Sequence, residues 1–303
     1  VNVNNKVKVG ELSVEFIRVS HSIPDSCAIA VKSPVGTILF TGDFKMDFTP
    51  IDGDPTDIQR IAELGKKGLL ALYCDSTNVE RPGYSISEKE VGDTFIRIFG
   101  QVTGRIIVAT FASNLHRVQQ IIYAAEKYNK KVALSGRSMM NNVRIASELG
   151  YLNVKNNTII DMKNVKNYAD DEIVVLSTGT QGEPLSALTR MANHEHKQIH
   201  LNETDTVILS SSAIPGNEIA INNVINKLTT IGVNIIYSSL ERVHASGHAC
   251  QEEIKLMYQL ATPKFLIPAH GEARQLHTHR DLAIDMGMDK DNIHIIENGD
   301  VVE

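Results

Sequence analysis

The chain has 303 residues, enough for one large or two ordinary domains with a substantial core. Hydrophobic residues make up 42% and charged residues 22%, a mix typical of a soluble globular protein and not of a disordered one. The net charge of -6 excludes a global basic field, so a nucleic-acid partner would need a local groove. No apolar run approaches the roughly 20 residues that cross a bilayer, and no stretch has the pattern of a secretory signal. The three cysteines form no CxxC pair and favour a reducing compartment, so we predict a cytoplasmic protein.

The first part of the chain is predicted to be rich in β-structure. Between its third and fourth strands, Asp54 as N-cap and Pro55 in the first turn predict the start of a helix. Gly65 and Gly68 end that helix. The predicted strands are short runs with β-branched residues, bounded by Gly, Pro or Asp, at 12–19, 26–31, 37–40 and 69–74.

The middle of the chain alternates between helices and strands. The capping-box sequence Ser87-x-x-Glu90 predicts the start of one helix. Such alternation is typical of a mostly parallel sheet with helices on both faces. Further strands are predicted at 105–110, 131–134, 172–176, 206–210 and 234–237, with helices at 114–127, 138–150 and 218–231. The last part adds helices at 250–260 and 271–287 and strands at 264–267 and 293–296.

Ionisable residues lie where several of these strands stop. Ligand sites in α/β sheets lie outside the carboxyl ends of strands. One histidine there is more often structural, but three histidines and two aspartates together are harder to explain that way. Imidazole nitrogen and carboxylate oxygen are ligands of zinc or manganese, so the pattern predicts a metal centre. The five residues are His21, Asp43, Asp75, His248 and His270.

Two other pairs of histidines are predicted not to bind metal. His194 and His196 lie in a polar stretch that we interpret as a surface loop. His277 and His279 lie inside a predicted helix, where residues two apart point to different sides.

The strand-end motifs in combination resemble the ribonuclease J family, bacterial and archaeal RNases of the metallo-β-lactamase fold that carry a β-CASP insertion. The resemblance covers essentially the whole chain, and "TGTQGEP" and "IPGNE" add to it. It rests on "HSIPDS" with His21, "TGDFK" with Asp43, "CDSTN" with Asp75, "TFASN" with Ser113, "HASGHA" with His248 and "PAHGE" with His270.

The resemblance implies an α/β protein with a partial metallo-β-lactamase sandwich of αββα type and an inserted β-CASP α/β domain of mostly parallel sheet. We predict the first metallo-β-lactamase segment over residues 1–82, the β-CASP domain over 83–235 and the second metallo-β-lactamase segment over 236–303. The family's HxHxDH motif would precede Val1, and the family's C-terminal domain is missing as well. We therefore expect the chain as given to be a fragment that is inactive alone.

The resemblance also implies roles for the strand-end residues. His21 and His270 would bind metal, and Asp43 would bridge two ions. His248 would be a hydrogen-bond or proton donor beside the scissile phosphate, and Asp75 would orient or protonate groups near the site. The implied cofactor is Zn²⁺, two ions in a complete site, with Mn²⁺ or Mg²⁺ as substitutes.

A second set of residues is expected to bind RNA and its 5′-phosphate. For Ser113, which precedes a helix, plain helix capping is an equal alternative. The expected RNA-binding residues are Ser113, His244, Ser246 and Gly247. We also place three arginines along an RNA path, with an ordinary surface position as the alternative for each: Arg81, Arg117 and Arg137.

The implied function is RNA hydrolysis, with 5′-to-3′ exonuclease and endonuclease action in RNA decay and rRNA maturation. Two alternatives stay open: another β-CASP endonuclease of the pre-mRNA 3′-end type, and a catalytically silent RNA-binding subunit. The resemblance further implies a homodimer or homotetramer in the full-length protein, or assembly with a paralogue, and no membrane partner.

Overall fold

The computed structural model describes residues 3, 5–51, 53–214 and 216–302. Pro215 of the "IPGNE" motif and the outermost residues of the predicted domain segments, 1 and 303, lie outside the described residues. The internal contacts divide the chain into two compact units. Unit 1 comprises Val1–His21, Asp25–Ser87 and Ser246–Glu303, and unit 2 comprises Ser22–Pro24 and Glu88–Ala245. The predicted domain limits at 82/83 and 235/236 stay a prediction beside this division.

The described residues form twelve strands and eight α-helices. The strands are β1 (Lys6–Val9), β2 (Leu12–Arg18), β3 (Cys27–Ser33), β4 (Gly36–Phe40), β5 (Leu69–Asp75), β6 (Ile106–Ala109), β7 (Lys131–Ser135), β8 (Ile159–Ile160), β9 (Ile173–Ser177), β10 (Thr206–Leu209), β11 (Asn234–Tyr237) and β12 (Pro263–Ala269). The helices are α1 (Ile58–Lys66), α2 (Glu88–Gln101), α3 (Leu115–Lys127), α4 (Arg137–Glu148), α5 (Ala187–Ala192), α6 (Glu218–Ile231), α7 (Gln251–Ala261) and α8 (Ala273–Asp285). None of the helices in these ranges is long and apolar enough to cross a membrane.

Unit 1 is built on one six-stranded sheet of order β1-β2-β3-β4-β5-β12. The strands β1 to β4 pair antiparallel, whereas β4, β5 and β12 pair parallel. Because two antiparallel steps separate β2 from β4, the strands β2, β4, β5 and β12 all end at the same edge, which we call the carboxyl edge of unit 1. The core under this sheet includes Ile17, Leu39 and Leu72 from the strands and Ile61 and Ile254 from α1 and α7.

Unit 2 contains a fully parallel sheet of order β11-β10-β6-β9-β7-β8. Its central strands are buried at every position, as parallel strands covered on both faces are. Ile107, Val175 and Val207 pack in one core with residues of α5 and α6, and the alternate strand residues Ile106 and Val174 are buried as well. The predicted α/β class with a mostly parallel sheet is confirmed.

Two predictions at element ends are wrong. The N-cap of α1 is Asp57, whose carboxylate accepts the Arg60 N–H, and not Asp54. The hydroxyl of Thr56 bonds the backbones of Ser20 and Lys45, and residues 54–57 stay outside the helix. The predicted strand 293–296 is reduced to a single bridge between Ile293 and Leu266. Ile293 is apolar because it enters the unit 1 core.

Candidate metal centre

Three parallel strands of unit 1 end side by side, and an ionisable residue lies at or just beyond each end. Asp43 follows β4, Asp75 ends β5 and His270 follows β12. The turn before Asp43 requires glycine, because Gly42 has φ +58° and a Cβ there would lie 3.1 Å from the Cys27 carbonyl oxygen. His270 itself has φ +55°, an unfavourable backbone conformation for a residue other than glycine and one that clusters at functional sites.

The side chains at this edge converge on one small volume. Ligand atoms of Asp43, Asp75, His248 and His270 all lie within 4.8 Å of one another. His270 Nδ1 is 3.1 Å from Asp43 Oδ1 and 3.5 Å from Asp75 Oδ1. His21 Nε2 lies 3.7 Å from the other oxygen of Asp43. The structure therefore brings together all five residues that the sequence singled out for metal binding and catalysis.

His21 is held in the form that binds metal. Its Nδ1–H donates to the Gly247 carbonyl oxygen at 2.8 Å, which leaves the lone pair on Nε2, the nitrogen nearest Asp43. Burial lowers the pKa of His21, so the ring is neutral at pH 7. Gly247, expected to approach RNA, is buried here and holds His21.

The two aspartates have different surroundings. Asp75 is buried, and both of its oxygens already have protein donors. Oδ2 accepts from His248 Nδ1 at 2.7 Å, and Oδ1 accepts from the N–H and hydroxyl of Thr77 at 3.0 and 2.8 Å. The Asp43 side chain is 39% exposed and faces an imidazole with each oxygen. Asp43 is thus open to a cation, whereas Asp75 is arranged to orient His248.

The charges of the cluster fit a divalent cation. Hydrogen bonding to His270 lowers the pKa of Asp43, although burial opposes this. Burial raises the pKa of Asp75, but hydrogen bonds from His248 and His270 outweigh burial and place it well below its usual range. Hydrogen bonds to Asp43 and Asp75 raise the pKa of His270 to about 10. The two carboxylates therefore draw positive charge to this point, and carboxylate oxygen with imidazole nitrogen is a donor set that zinc prefers.

The loop that carries His248 is fastened by a residue that sequence reasoning missed. The Asn78 amide donates to Ser246 Oγ at 2.7 Å and to the His248 carbonyl oxygen at 3.0 Å. Ser246 Oγ also accepts the N–H of His248 at 3.2 Å. The available signal was position, because Asn78 is the last residue of the "CDSTN" motif that contains Asp75.

The predicted RNA-binding residues of unit 2 lie in two places. Ser113 is exposed after β6, and the cap of α3 is its neighbour Asn114, whose side chain accepts the Arg117 N–H at 3.0 Å. The helix-capping alternative for Ser113 is therefore wrong. His244 Nε2 lies 3.3 Å from Ser212 Oγ in the segment that precedes Ser246.

Arg117 does not lie on a surface path, so this prediction is wrong. Its side chain is fully buried and pairs with Glu88 through Nε and, at 2.9 Å, through Nη2. Nη1 donates to the carbonyl oxygens of Ser210 and Val243, each at 3.1 Å. The other two arginines of that prediction are exposed, and their RNA role stays a prediction: Arg81 and Arg137.

Of the two histidine pairs expected not to bind metal, one is placed as predicted. His277 is exposed and His279 is buried with Nδ1 2.7 Å from Ser76 Oγ, so they point to different sides of α8. The surface-loop prediction for His196 is wrong. That side chain is buried, with Nε2 2.9 Å from Ser135 Oγ and Nδ1 accepting the Ile199 N–H.

Comparison with protein families matches two domain models to the chain. Residues 103–228 match the β-CASP domain of ribonuclease J. Residues 232–296 match a domain described as a zinc-dependent metallo-hydrolase RNA specificity domain.

Curated relatives match the chain along its whole length. It is 46% identical to ribonuclease J of a Synechocystis strain over 100% of the chain and 48% of the relative. It is 46% identical to ribonuclease J of Thermus thermophilus over 99% and 52%, and to ribonuclease J 1 of Streptococcus pyogenes over 100% and 54%. The chain thus spans about half the length of the curated relatives it matches.

A solved structure has the same fold. The crystal structure of a protein of unknown function from Enterococcus faecalis V583 matches 98% of the chain and 64% of its own, with a TM-score of 0.65. At 16% identity this likeness shows the fold alone.

Proposed function

The chain belongs to the ribonuclease J family, and on that premise we propose that it hydrolyses the phosphodiester bonds of RNA in a metal-dependent reaction. The observation that carries the proposal is the convergence of Asp43, Asp75, His248 and His270 within 4.8 Å at one sheet edge. The match to an RNA specificity domain supports RNA as the substrate. By family resemblance the proposal includes 5′-to-3′ exonuclease and endonuclease action in RNA decay and rRNA maturation.

In this proposal His21, Asp43 and His270 would hold zinc, and a complete site would take two ions, with Asp43 as a ligand of both. Bound zinc supplies hydroxide near neutral pH and offsets the negative charge that develops at phosphorus. The neutral ring of His21 and the exposure of Asp43 and His270 support this assignment, since each offers a donor atom toward the same point.

His248 is the proposed proton donor, and Asp75 is its positioning residue. Hydrolysis breaks the bond from phosphorus to the 3′-oxygen, and that leaving oxygen needs a proton. Asp75 accepts the Nδ1–H of His248 at 2.7 Å, which sets the ring orientation and leaves Nε2 as the nitrogen that gives the proton.

RNA contacts are proposed for both units. In unit 1, Ser246 Oγ accepts two hydrogen bonds, so its own hydroxyl proton is directed to a phosphate oxygen. Gly247 acts through the loop, because its carbonyl group holds His21. In unit 2, the exposed hydroxyl of Ser113 lies at the start of α3, where backbone N–H groups favour anions. His244 is proposed as a further hydrogen-bond donor to a phosphate oxygen.

Assembly and location enter the proposal through family resemblance alone. We expect a homodimer, a homotetramer or a complex with a paralogue in the full-length protein, and a cytoplasmic location.

The proposal is tested by replacing metal ligands without disturbing RNA binding. Asp43→Asn and His270→Ala, each made in the full-length protein, should lower RNA cleavage by about 10³-fold or more, with RNA affinity retained. Cleavage is measured with 5′-monophosphate and 5′-triphosphate RNA and binding by gel shift. His277→Ala, at an exposed position of α8, is the matched control and should keep full activity.

The outcome also separates the alternatives. Retained turnover in either variant would refute the assigned roles. RNA binding by the unaltered full-length protein without any zinc-dependent cleavage would favour a silent RNA-binding subunit. Equal cleavage of the two 5′-end forms at internal bonds would favour the β-CASP endonuclease of pre-mRNA 3′-end type.

A further inference from the structure

Glu253 is a fully buried carboxylate in the first turn of α7 that accepts four hydrogen bonds. Oε1 accepts the Met46 N–H at 2.7 Å and the Ser85 hydroxyl at 2.8 Å. Oε2 accepts the N–H groups of Ser85 and Cys250 at 2.7 and 2.8 Å. Four donors match the full acceptor capacity of a carboxylate.

Helix capping accounts for only one of these bonds. In a capping box the glutamate at the third helical position accepts the N–H of the N-cap residue, which here is Cys250. The bonds to Met46 and Ser85 come from segments 168 to 207 residues away along the chain. They contribute nothing to the start of α7, so their role lies in the segments they join.

Glu253 joins the segment of Ser85 to two segments that carry site residues. Met46 lies three residues after Asp43, and Cys250 lies two residues after His248. One rigid carboxylate thus sets the position of the chain just beyond each of these two side chains. Asp43 and His248 reach the cluster from different loops, and Glu253 is the group that both loops share.

The same network extends to His21. The Lys45 N–H donates to the Ser20 carbonyl oxygen at 2.8 Å. The Thr56 hydroxyl accepts the Ser20 N–H and donates to the Lys45 carbonyl oxygen, each at 2.9 Å. The residue before His21 is therefore bonded to the residue that precedes Met46, so a shift at Glu253 reaches three of the five site residues.

We propose that Glu253 is the positioning residue of the metal centre, holding the loops of Asp43 and His248 at the separation at which their side chains meet His270. This rests on the proposed function for its consequence in catalysis. Glu253 itself touches neither metal nor RNA. Partners of this kind, which orient ligands from behind, typically contribute 10- to 100-fold to metal affinity or activity, roughly the effect expected here.

Glu253→Gln tests the proposal, because it keeps the size of the side chain and replaces one acceptor oxygen with an amide donor that faces N–H or O–H groups. In the full-length protein, zinc affinity measured by competition with a chromophoric chelator should fall by about 10- to 100-fold. The kcat for RNA cleavage should fall with it, while the KM for RNA stays within about threefold. In the metal-free protein the imidazole ¹⁵N resonances of His248 should also shift.

The control is a neighbour that weakens the same helix without touching the loops. Ile254 is fully buried in the unit 1 core, so Ile254→Val and Ile254→Ala should lower the Tm through packing alone. The smaller and the larger loss of Tm in these two variants give a scale against which the Tm of Glu253→Gln is compared. These variants should keep the zinc affinity and the His248 resonances. If they lose zinc affinity as much as Glu253→Gln does at equal Tm, Glu253 has only a stabilising role and the proposal is overturned.

A milder variant guards against loss of folding. Ser85→Ala removes only the hydroxyl bond to Oε1 and should shift zinc affinity and the His248 resonances in the same direction by a smaller factor. Unchanged affinity and unchanged resonances in this variant and in Glu253→Gln would overturn the proposal. If the unaltered full-length protein neither binds zinc nor cleaves RNA, the proposed function fails, and the His248 resonances still decide whether Glu253 positions the loop.

Discussion

The carboxyl edges of the two sheets carry different polar groups, neutral hydroxyls in unit 2 and ionisable side chains in unit 1. In unit 2, four of the six parallel strands, β6, β7, β9 and β10, end at or just before a buried hydroxyl residue that is bonded within the unit. Ser135 meets His196 and Ser210 donates to the Val243 carbonyl oxygen at 2.6 Å, while the remaining two residues of the set bond backbone carbonyls beside them: Thr110 and Ser177. In unit 1 the same structural positions carry Asp43, Asp75 and His270.

The two edges also differ in the group that balances their buried charge. At the carboxyl edge of its sheet, unit 2 buries the guanidinium of Arg117, pairs it with Glu88 and surrounds it with carbonyl oxygens. Unit 1 places two carboxylates where an imidazole must hold a proton up to about pH 10 to balance them. A sheet edge is therefore ready for a cation when its charges are balanced by a removable proton. When a fixed guanidinium balances them, the edge is structural.

Arg117→Met has the largest expected effect on stability, because it removes the guanidinium that balances the buried charge in unit 2. It takes both guanidinium donors away from the buried Glu88 carboxylate, which should lower the free energy of unfolding by about 3–5 kcal/mol. Urea unfolding measures the loss.

The matched control for Arg117 is the double variant Arg117→Met with Glu88→Leu. Replacing a buried ion pair with apolar residues is often close to neutral, so most of the lost stability should return. A single variant within 1 kcal/mol of the unaltered protein would show that the pair is not what holds this edge.

The next prediction compares how stability depends on pH at two histidines of unit 1, the exposed His270 at the sheet edge and the buried His279. In the metal-free protein the pKa of His270 is raised from 6.5 to about 10, so its stabilisation is complete below pH 6.5 and is lost as the pH rises toward 10. Burial lowers the pKa of His279 to about 4, so its stabilisation is present above pH 6.5 and is lost as the pH falls toward 4.

Unfolding free energies from pH 4.5 to 9 check these two trends. His270→Asn, a residue that tolerates the same backbone conformation, should remove the alkaline loss and leave the acid loss. His279→Asn should do the reverse. If both variants keep the pH profile of the unaltered protein, the two histidines do not differ as the comparison requires.

The clustering of the site residues could be predicted from the sequence, because the ends and the directions of the strands could be predicted. The β-branched runs bounded by turn residues located β4, β5 and β12, and the residues that follow parallel strands must meet at one edge. That reasoning brings Asp43, Asp75 and His270 together before any coordinates are known.

Long-range bonds decided what could not be predicted. The buried partners of Arg117 lie 29 to 128 residues away, so nothing local marks this arginine as different from a surface one. The cap of α1 moved from Asp54 to Asp57 because Thr56 bonds Ser20 and Lys45. Glu253 escaped notice for the same reason, since three of its four bonds come from segments remote in sequence.

The smallest expected change in stability concerns the two residues at the start of α3. It tests whether the polar groups at the carboxyl edge of unit 2 only stabilise the fold or also contact RNA. Asn114→Ala removes the cap and should cost about 1 kcal/mol, whereas Ser113→Ala should change the stability by less than about 0.5 kcal/mol because Ser113 is exposed and does not cap. Discrimination between 5′-monophosphate and 5′-hydroxyl RNA should respond in the opposite order, falling in Ser113→Ala and surviving in Asn114→Ala. Competition binding with the two RNAs, alongside urea unfolding, measures both quantities. If Ser113→Ala keeps full discrimination, all the polar groups tested at the unit 2 edge serve the fold, and the recognition of RNA ends must come from the loop of Ser246.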